Sequence, residues 1–221
     1  MSGRVIAIGD IHGCLPALET LVKLISPRKE DTIVTLGDYV DRGMQVRECF
    51  DLLMDLADQC RLVPILGNHD EMLLGLLEDS QALLDWLGYG GTTTLYSFGV
   101  KRPEEIPEKY IRFLRGCLPY YETKEHFFVH ANYLADFPLE AQPAEVLRWE
   151  YLRDWQPGPH ISGKKAIVGH TAQKTGRILD LGYLLCIDTC CYGSGYLTAM
   201  DVATGQIWQA DKTGRLKPPE P

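Results

Sequence analysis

The feature that most constrains the fold of this chain is a series of short apolar runs, each ending at a glycine or a polar residue. There are six of them, at residues 5–8, 32–36, 62–66, 127–129, 166–168 and 184–187. Apolar runs of this length, without alternating polar residues, are typical of strands buried on both faces. The sequence therefore predicts an α/β protein whose sheet is covered by other elements on both sides.

Amphipathic stretches lie between the first three runs. Apolar residues share one helical face after the first run and another after the second, namely Leu15, Leu18, Val22 and Ile25, then Val46, Phe50, Leu53 and Ala57. Alternating strands and helices predict a parallel sheet with right-handed crossovers. A length of 221 residues suits one large domain, and we expect it to span residues 1–211.

Residues 71–121 interrupt this alternation. They contain short helical stretches separated by glycines and prolines, which predicts a helical insertion beside the sheet rather than a second domain. Residues 196–202 and 206–209 are two β-rich segments joined by a short turn, and they predict a hairpin. The last segment, 212–221, is polar and rich in proline, and it predicts a loose tail.

Polar side chains follow five of the six runs. They are Asp10 and His12; Asp38, Asp41 and Arg42; Asn68, His69 and Asp70; His130; and His170. Because the carboxyl ends of parallel strands lie at one edge of a sheet, we expect these side chains to meet there. One such histidine would be an ordinary core residue, but four of the chain's six histidines follow this pattern.

The residue types in this set are ligands for metal ions. Carboxylates favour manganese, magnesium or ferrous iron, and imidazoles favour zinc, iron and other transition metals. Six of the strand-end residues are plausible metal ligands. Six are too many for one tetrahedral zinc ion, but they suffice for two ions that share a carboxylate. Paired metal ions are a common arrangement for displacement at phosphorus. Arg42 adds a fork of donors that suits phosphate oxygens.

The charge and the cysteines limit the partners and the compartment. The 22 basic and 30 acidic residues give a net charge of −8, which predicts no general affinity for nucleic acid or for an anionic membrane. The first residues show no signal-peptide pattern, and no apolar run is long enough to span a bilayer. Seven scattered cysteines, including the adjacent Cys190 and Cys191, predict free thiols and a cytoplasmic location.

Five sequence blocks resemble the signature of the phosphoprotein phosphatase family of calcineurin-like metallophosphoesterases. They are GDIHG at 9–13, GDYVDRG at 37–43, GNHD at 67–70, VHA at 129–131 and GHT at 169–171. The likeness is greatest to the compact bacterial and phage serine/threonine phosphatases, and the symmetrical diadenosine tetraphosphatases share these blocks. The resemblance implies a sandwich of two mixed sheets flanked by helices, so that a single parallel sheet would be half of the fold.

The resemblance also implies a role for each residue of the site. Asp10, His12 and Asp38 would bind a first metal ion, and Asp38 would bridge to a second ion held by Asn68, His130 and His170. His69 would be the general acid, oriented by Asp41, and Arg42 and Asn68 would bind the phosphate. A second phosphate-binding arginine would be Arg148 or Arg153, with Arg148 preferred, and Tyr192 would approach the substrate.

The implied activity is metal-dependent hydrolysis of phosphomonoesters in phosphorylated proteins or peptides, most directly at serine and threonine, with tyrosine as an additional target. Two divalent ions, manganese in vitro or iron or zinc, would activate the attacking water. The alternative is a symmetrical diadenosine tetraphosphatase or another nucleotide pyrophosphohydrolase. The sequence departs from the usual blocks at Asp70, where glutamate is common, and at residues 131–132, where a small, glycine-bearing pair is common.

Overall fold

The structure is a computed structural model that describes residues 3–218. Within them the strands are β1 Val5–Ile8, β2 Thr32–Thr35, β3 Arg61–Pro64, β4 Tyr120–Glu122, β5 His126–Val129, β6 Lys165–Val168, β7 Leu179–Asp180, β8 Leu184–Cys186, β9 Tyr196–Asp201 and β10 Ile207–Asp211. The α-helices are α1 Leu15–Ile25, α2 Val46–Ala57, α3 Asn68–Leu76, α4 Leu83–Trp86, α5 Thr92–Phe98, α6 Glu108–Arg115 and α7 Ala144–Trp149. None of the helices in this part of the chain combines the length and apolar character needed to cross a bilayer.

The strands form two mixed sheets. The first has the order β10-β9-β1-β2-β3, and the second has the order β4-β5-β6-β8-β7. Each sheet contains three neighbouring parallel strands, β1–β3 in the first and β5, β6 and β8 in the second, with antiparallel strands beside them. The two mixed sheets implied by the family resemblance are confirmed, and the single parallel sheet predicted from the apolar runs is wrong. Apolar runs show that a strand is buried, but they do not show which strands are its neighbours.

The two sheets pack face to face between outer layers. In β1, Ile6 and Ile8 pack with the helices, whereas Ala7 faces the second sheet. In β5, Phe128 faces the first sheet, whereas Phe127 packs in a separate apolar cluster on the other face of the second sheet. This alternation explains the unbroken apolar runs, because successive side chains on a strand point to opposite faces and here both faces are buried.

The predicted helical insertion belongs to the same apolar core as the helices of the first sheet. Leu73 of α3, Trp86 of α4 and Leu114 of α6 are buried in one cluster with residues of α1 and α2. The chain bends within this region at Gly90, whose φ of 119° is open to glycine and strained for other residues. Residues 71–115 are therefore part of the helical layer beside the first sheet, whereas 120–121, at the end of the predicted insertion, begin β4 of the second sheet.

The C-terminal segment differs in part from the predicted loose tail. The predicted hairpin is confirmed by the antiparallel pairing of β9 and β10. After it the chain turns back: the Lys217 amide donates to the Gln209 carbonyl, and Thr20 of α1 donates to the Gly214 carbonyl. Residues 214 and 217 thus have hydrogen bonds to α1 and β10, and the looseness of the tail as a whole stays a prediction. The end of the predicted tail, 219–221, lies outside the described residues.

A buried ion pair fixes the start of the first sheet. The carboxylate of Asp31, just before β2, is fully buried and accepts hydrogen bonds from the backbone and side chain of Arg4 and from the Arg28 amide. Burial would raise the pKa of Asp31, but these hydrogen bonds and the Arg4 charge hold that pKa well below its usual range. Arg4 also donates to the carbonyl of Ile25 at the end of α1, so one pair joins two strands and a helix.

We expect Asp31→Ala to lower the free energy of unfolding by about 3 kcal/mol near neutral pH, because it leaves the Arg4 guanidinium without its partner. A depressed carboxyl pKa stabilises the fold above the unfolded pKa of about 3.9, and this contribution is lost as the pH falls below that value. The difference between variant and wild type in urea unfolding should therefore shrink from pH 6 to pH 3. Glu108→Gln, at the exposed pair with Arg115, should cost less than about 1 kcal/mol. An equal cost for the two variants would contradict this account.

Candidate active site

The polar residues that follow the strands meet at one edge of the two-sheet sandwich. Asp10 and His12 follow β1, Asp38 follows β2, Asn68 begins α3 after β3, His130 follows β5 and His170 follows β6. The three parallel strands of each sheet point the same way, so both sheets deliver their loops to this edge. All six side chains are buried.

The loops that carry these residues have an unusual backbone. Among the described non-glycine residues, positive φ angles occur at His12 (42°), Asp38 (52°), Asp41 (70°), Arg42 (68°) and His170 (59°), and outside this set only at Ser26 and Cys190. Such angles cost free energy for residues with a Cβ atom, and they persist where surrounding contacts enforce them. Five of these seven strained positions belong to the predicted site. Strained backbone of this kind occurs most often at functional sites.

Two glycines allow the loops to approach the carboxylates. A Cβ atom at Gly67 would collide with the Asp38 carboxylate, and a Cβ atom at Gly169 would collide with the Asp10 carboxylate. These are the first residues of the GNHD and GHT blocks. Their role is steric, because the backbone passes against a carboxylate where no side chain fits.

One group of ligand atoms is formed by Asp38, His130 and His170, whose ligand atoms all lie within 4.8 Å of one another. The Nδ1 atom of His130 lies 2.6 Å from the Leu36 carbonyl and Nε2 of His170 lies 3.0 Å from the Trp149 carbonyl. A carbonyl oxygen can only accept, so these nitrogens carry the ring protons and the other two keep their lone pairs. Both lone-pair nitrogens lie 3.0 Å from Oδ1 of Asn68.

A second group contains His12, Asp38 and His69. Nδ1 of His12 donates to the Val40 carbonyl over 2.7 Å, so Nε2 keeps its lone pair, 3.2 Å from the Asp38 carboxylate. Asp10 lies against His170 instead, where its carboxylate accepts the His170 backbone N–H over 3.0 Å. Asp38 is the residue shared by the two groups, which is the position that the sequence analysis gives to the bridging ligand.

The donor set fits two divalent cations. The lone pairs of His130 and His170 both face Oδ1 of Asn68. These three atoms are all hydrogen-bond acceptors, so they repel one another when no donor or cation lies between them. Burial, together with the charges of Asp188 and Asp38, raises the pKa of Asp10 well above its ordinary value. Cations placed among these groups would remove both penalties. Histidine, aspartate and asparagine without a thiolate suit manganese, iron or zinc, and each protonated ring nitrogen that donates to a carbonyl is the support typical of metal-bound histidine.

His69 ends a chain of three side chains. Its Nδ1 donates to Oδ2 of Asp41 over 2.7 Å, and Oδ1 of Asp41 accepts from the hydroxyl of Thr94 over 2.8 Å. The Asp41 backbone N–H donates back to the same hydroxyl over 2.9 Å. Burial lowers the pKa of His69, but the charge of Asp38 and the hydrogen bond to Asp41 outweigh it, so this pKa is raised. The chain fixes the ring and leaves Nε2 facing the site.

The guanidinium of Arg42 spans the two histidines on this side of the site. It donates to Nε2 of His12 over 3.1 Å and to Nε2 of His69 over 2.9 Å. Its flat face lies 4.3 Å from the centre of the Tyr192 ring, which also packs edge-on against His12. A fork of N–H donors is therefore held at the mouth of the site, and the half-buried Tyr192 supports it.

The two arginines considered for a second phosphate contact occupy different positions. Arg148, in α7, is largely buried, donates to Glu71 over 2.6 Å and leaves its buried Nε without a described partner. Its charge is felt at His130. Arg153 is mostly exposed and stacks on Tyr151, which in turn stacks on His170. Arg148 is therefore the better placed of the two, and its phosphate contact stays a prediction.

Several supporting residues were missed in the sequence analysis. Asp188 follows the sixth apolar run and lies beside Asp10; the same strand-end rule would have found it. Thr94, which holds Asp41, lies 53 positions away in the insertion, and no local pattern marks it. Asp70, which the sequence analysis does name, accepts the backbone N–H groups of Asp38, Tyr39 and Gly67 and so supports the loop from the position where glutamate is common.

The fold and the site together define a metallophosphoesterase: a two-sheet sandwich with two groups of metal ligands that share an aspartate at the strand ends. The family model of the calcineurin-like phosphoesterases matches residues 3–184, and the chain belongs to this family. It is therefore a hydrolase of that family.

The curated relatives divide between two kinds of phosphatase. Serine/threonine-protein phosphatase 1 of Salmonella typhimurium is 35% identical over 211 residues, which cover 86% of this chain and 88% of that protein. A symmetrical bis(5'-nucleosyl)-tetraphosphatase of Chromobacterium violaceum is 38% identical over 101 residues, which cover 37% of this chain and 35% of that protein. A tetraphosphatase of the same kind from Pseudomonas putida is 24% identical over 281 residues, 96% of this chain and 95% of that protein.

Solved structures show the same fold. A crystal structure of a candidate diadenosine tetraphosphatase matches with a TM-score of 0.73 at 24% identity, covering 95% of this chain and 94% of that one. A cold-active protein-tyrosine phosphatase of a psychrophilic Shewanella matches with a TM-score of 0.64 at 18% identity, covering 98% of this chain and 80% of that one. At these identities the similarity establishes the fold alone.

We expect two divalent ions per chain, and we expect Asp38→Asn to weaken the binding of both, because its carboxylate belongs to both groups of ligands. The affinity for metal should fall by more than about tenfold, because tenfold is the lower bound for losing a group that only supports a ligand. Elemental analysis and the rise in melting temperature on adding Mn²⁺ measure the effect. The exposed Asp58→Asn is the control and should keep both ions. An Asp38→Asn protein that retains two tightly bound ions would refute the shared-ligand assignment.

Proposed function

We propose that this chain hydrolyses phosphomonoesters on serine or threonine in phosphorylated proteins. The observation that carries the proposal is the position of Arg42, whose guanidinium bridges His12 and His69 beside the ligands. A fork of donors at that place suits the oxygens of a terminal phosphate dianion. The relative that supports a protein substrate is the Salmonella phosphatase, which aligns with most of both chains.

The metal ions would be held by six residues, Asp10, His12, Asp38, Asn68, His130 and His170, four of which belong to the two groups of ligand atoms described above. When bound, they would supply Lewis-acid stabilisation of the phosphate oxygens and a lowered pKa for an attacking water. We propose manganese as the ion active in vitro, with iron and zinc as the alternatives that the same ligands accept.

The remaining steps belong to the side chains of this protein. Arg42 would turn from the two histidines to the phosphate oxygens, with Arg148 as a second donor from α7. That movement frees the lone pair on Nε2 of His69 to take up a proton from water, and the resulting imidazolium would then give this proton to the departing serine or threonine oxygen. Asp41, held by Thr94, would keep the ring oriented and stabilise its charged form. Asn68 and Tyr192 would border the bound phosphate.

The second function to be tested is cleavage of diadenosine tetraphosphate, because the same ligands and Arg42 would also serve a phosphoanhydride. The tetraphosphatase relatives favour it. The deciding experiment measures kcat/KM on a phosphoserine peptide and on diadenosine tetraphosphate with one manganese-loaded sample. Higher efficiency on the nucleotide would overturn the proposal. The cytoplasmic location and the absence of a nucleic-acid partner stay predictions.

We expect Arg42→Ala to raise KM and lower kcat for phosphoserine peptides, by about 10- to 150-fold in kcat/KM, the effect of losing a charged hydrogen bond of about 1.5–3 kcal/mol. Inhibition by inorganic phosphate should weaken in parallel. Arg115→Ala removes an exposed arginine and is the matched control. Phosphate inhibition equal to that of the wild type would show that Arg42 does not contact phosphate.

We expect His69→Asn to reduce turnover of a phosphoserine peptide by about 10²–10⁴-fold and turnover of p-nitrophenyl phosphate much less. A serine alkoxide needs a proton to leave, whereas p-nitrophenolate is stable without one. Thr94→Val, which removes the hydroxyl that holds Asp41, should show the same bias more weakly. Rates are compared at equal metal content.

His126→Asn, at the start of β5 and outside the site, is the control for losing a histidine. An equal loss on both substrates with metals retained would assign His69 to phosphate positioning. Loss of metal from His69→Asn would place this residue among the ligands, as its membership of the group with His12 and Asp38 allows.

A further inference from the structure

A groove beside the site has no role in the chemistry described above. It lies between α3 and α4, has a volume of about 490 Å³, and ends at Trp149 of α7. We call it the α3–α4 groove. Glu71 and Met72 line it on α3, and Asp85 and Trp86 line it on α4.

The charge of the α3–α4 groove is negative. Its lining includes the carboxylates of Glu71, Asp79 and Asp85 and no lysine, arginine or histidine. Glu71 is already engaged, because it accepts hydrogen bonds from Arg148 and from the indole N–H of Trp149, each over 2.6 Å. Asp79 and Asp85 are exposed, and although Oδ1 of Asp79 accepts the Gln81 backbone N–H over 3.0 Å, the charges of both remain available to a ligand.

The walls of the groove are apolar and aromatic. Leu76 and Trp86 are buried, whereas Trp149 is 37% exposed. The indole Nε1 of Trp86 is buried and has no hydrogen-bond partner among residues 3–218, an arrangement that costs free energy until an acceptor reaches it. Carboxylates beside aromatic faces attract an arginine or lysine, whose stem packs on apolar surface while its charge meets the carboxylates.

The groove begins at the reacting centre. α3 starts with Asn68, and Met72 and Leu76 of the groove follow it by four and eight residues. At about 1.5 Å per residue these positions lie roughly 6 and 12 Å along the helix. An extended peptide advances about 3.3–3.6 Å per residue, so the groove meets side chains about two to four residues from the phosphorylated one.

We propose that the α3–α4 groove selects substrates that carry an arginine or lysine two to four residues from the phosphorylated residue. This inference rests on the proposed protein phosphatase function and specifies its substrate. A dinucleoside tetraphosphate, which is strongly anionic, would be repelled by the same carboxylates. The groove therefore favours a basic peptide over a nucleotide at this site.

The test compares two phosphoserine peptides, one with arginine at positions two to four on both sides of the phosphoserine and one with glutamine there. The wild type should have a kcat/KM about tenfold higher on the arginine peptide, since each exposed ion pair contributes roughly a threefold effect. Asp79→Asn combined with Asp85→Asn should reduce this ratio to below about twofold. The wild-type ratio should also fall as salt is raised, because salt screens exposed charges.

Asp55→Asn combined with Asp58→Asn is the matched control: it removes the same charge from exposed positions at the end of α2 and should keep the tenfold ratio. A wild-type ratio near one, or a ratio in the Asp79/Asp85 double variant that equals the wild type, would overturn the inference while leaving the protein phosphatase function intact. Hydrolysis of diadenosine tetraphosphate without hydrolysis of either peptide would overturn both.

Discussion

The structure depends on holding several carboxylates and unprotonated histidine nitrogens close together in a buried site. Asp10, Asp38 and Asp188 lie close enough for their charges to shift one another's pKa, and burial raises the pKa of Asp188 to about 6. Two histidine lone pairs face the oxygen of Asn68 without a donor between them. A fold that gathers such groups gains little from them by itself, and cations would supply the missing attraction.

Several features of the fold hold this arrangement in place, and some of them cost free energy. Three parallel strands in each sheet aim their loops at one edge, and five site residues adopt positive φ angles there. Gly67 and Gly169 have no side chain, and this allows the backbone to pass against the carboxylates of Asp38 and Asp10. The apolar clusters on both sides of each sheet provide the packing that keeps these strained loops in place.

The helical insertion is joined to the chemistry through a few contacts. Thr94 holds Asp41, and the Gly90 carbonyl accepts the backbone N–H of Arg42, so the loop that carries both site residues rests on α5 and the bend before it. On the other side, Glu71 of α3 joins α7 through Arg148 and Trp149. The insertion therefore both positions the proposed general acid and forms the wall of the α3–α4 groove, which links substrate choice to the orientation of the proposed catalytic groups.

The sequence by itself determined eight of the ten described strands, the helices after the first two of them, and most of the residues that the strand ends bring together, because short apolar runs and the polar residues that end them are local signals. It could not determine that β5, β6 and β8 form a second sheet, since pairing is decided by packing between distant segments. Nor could it find Thr94 or the contacts of Glu71, whose partners are 53 and 77 positions away. Only the tertiary structure placed Arg148 where its charge reaches His130 and turned Arg153 toward solvent, because these positions are set by contacts between segments that are distant in the chain.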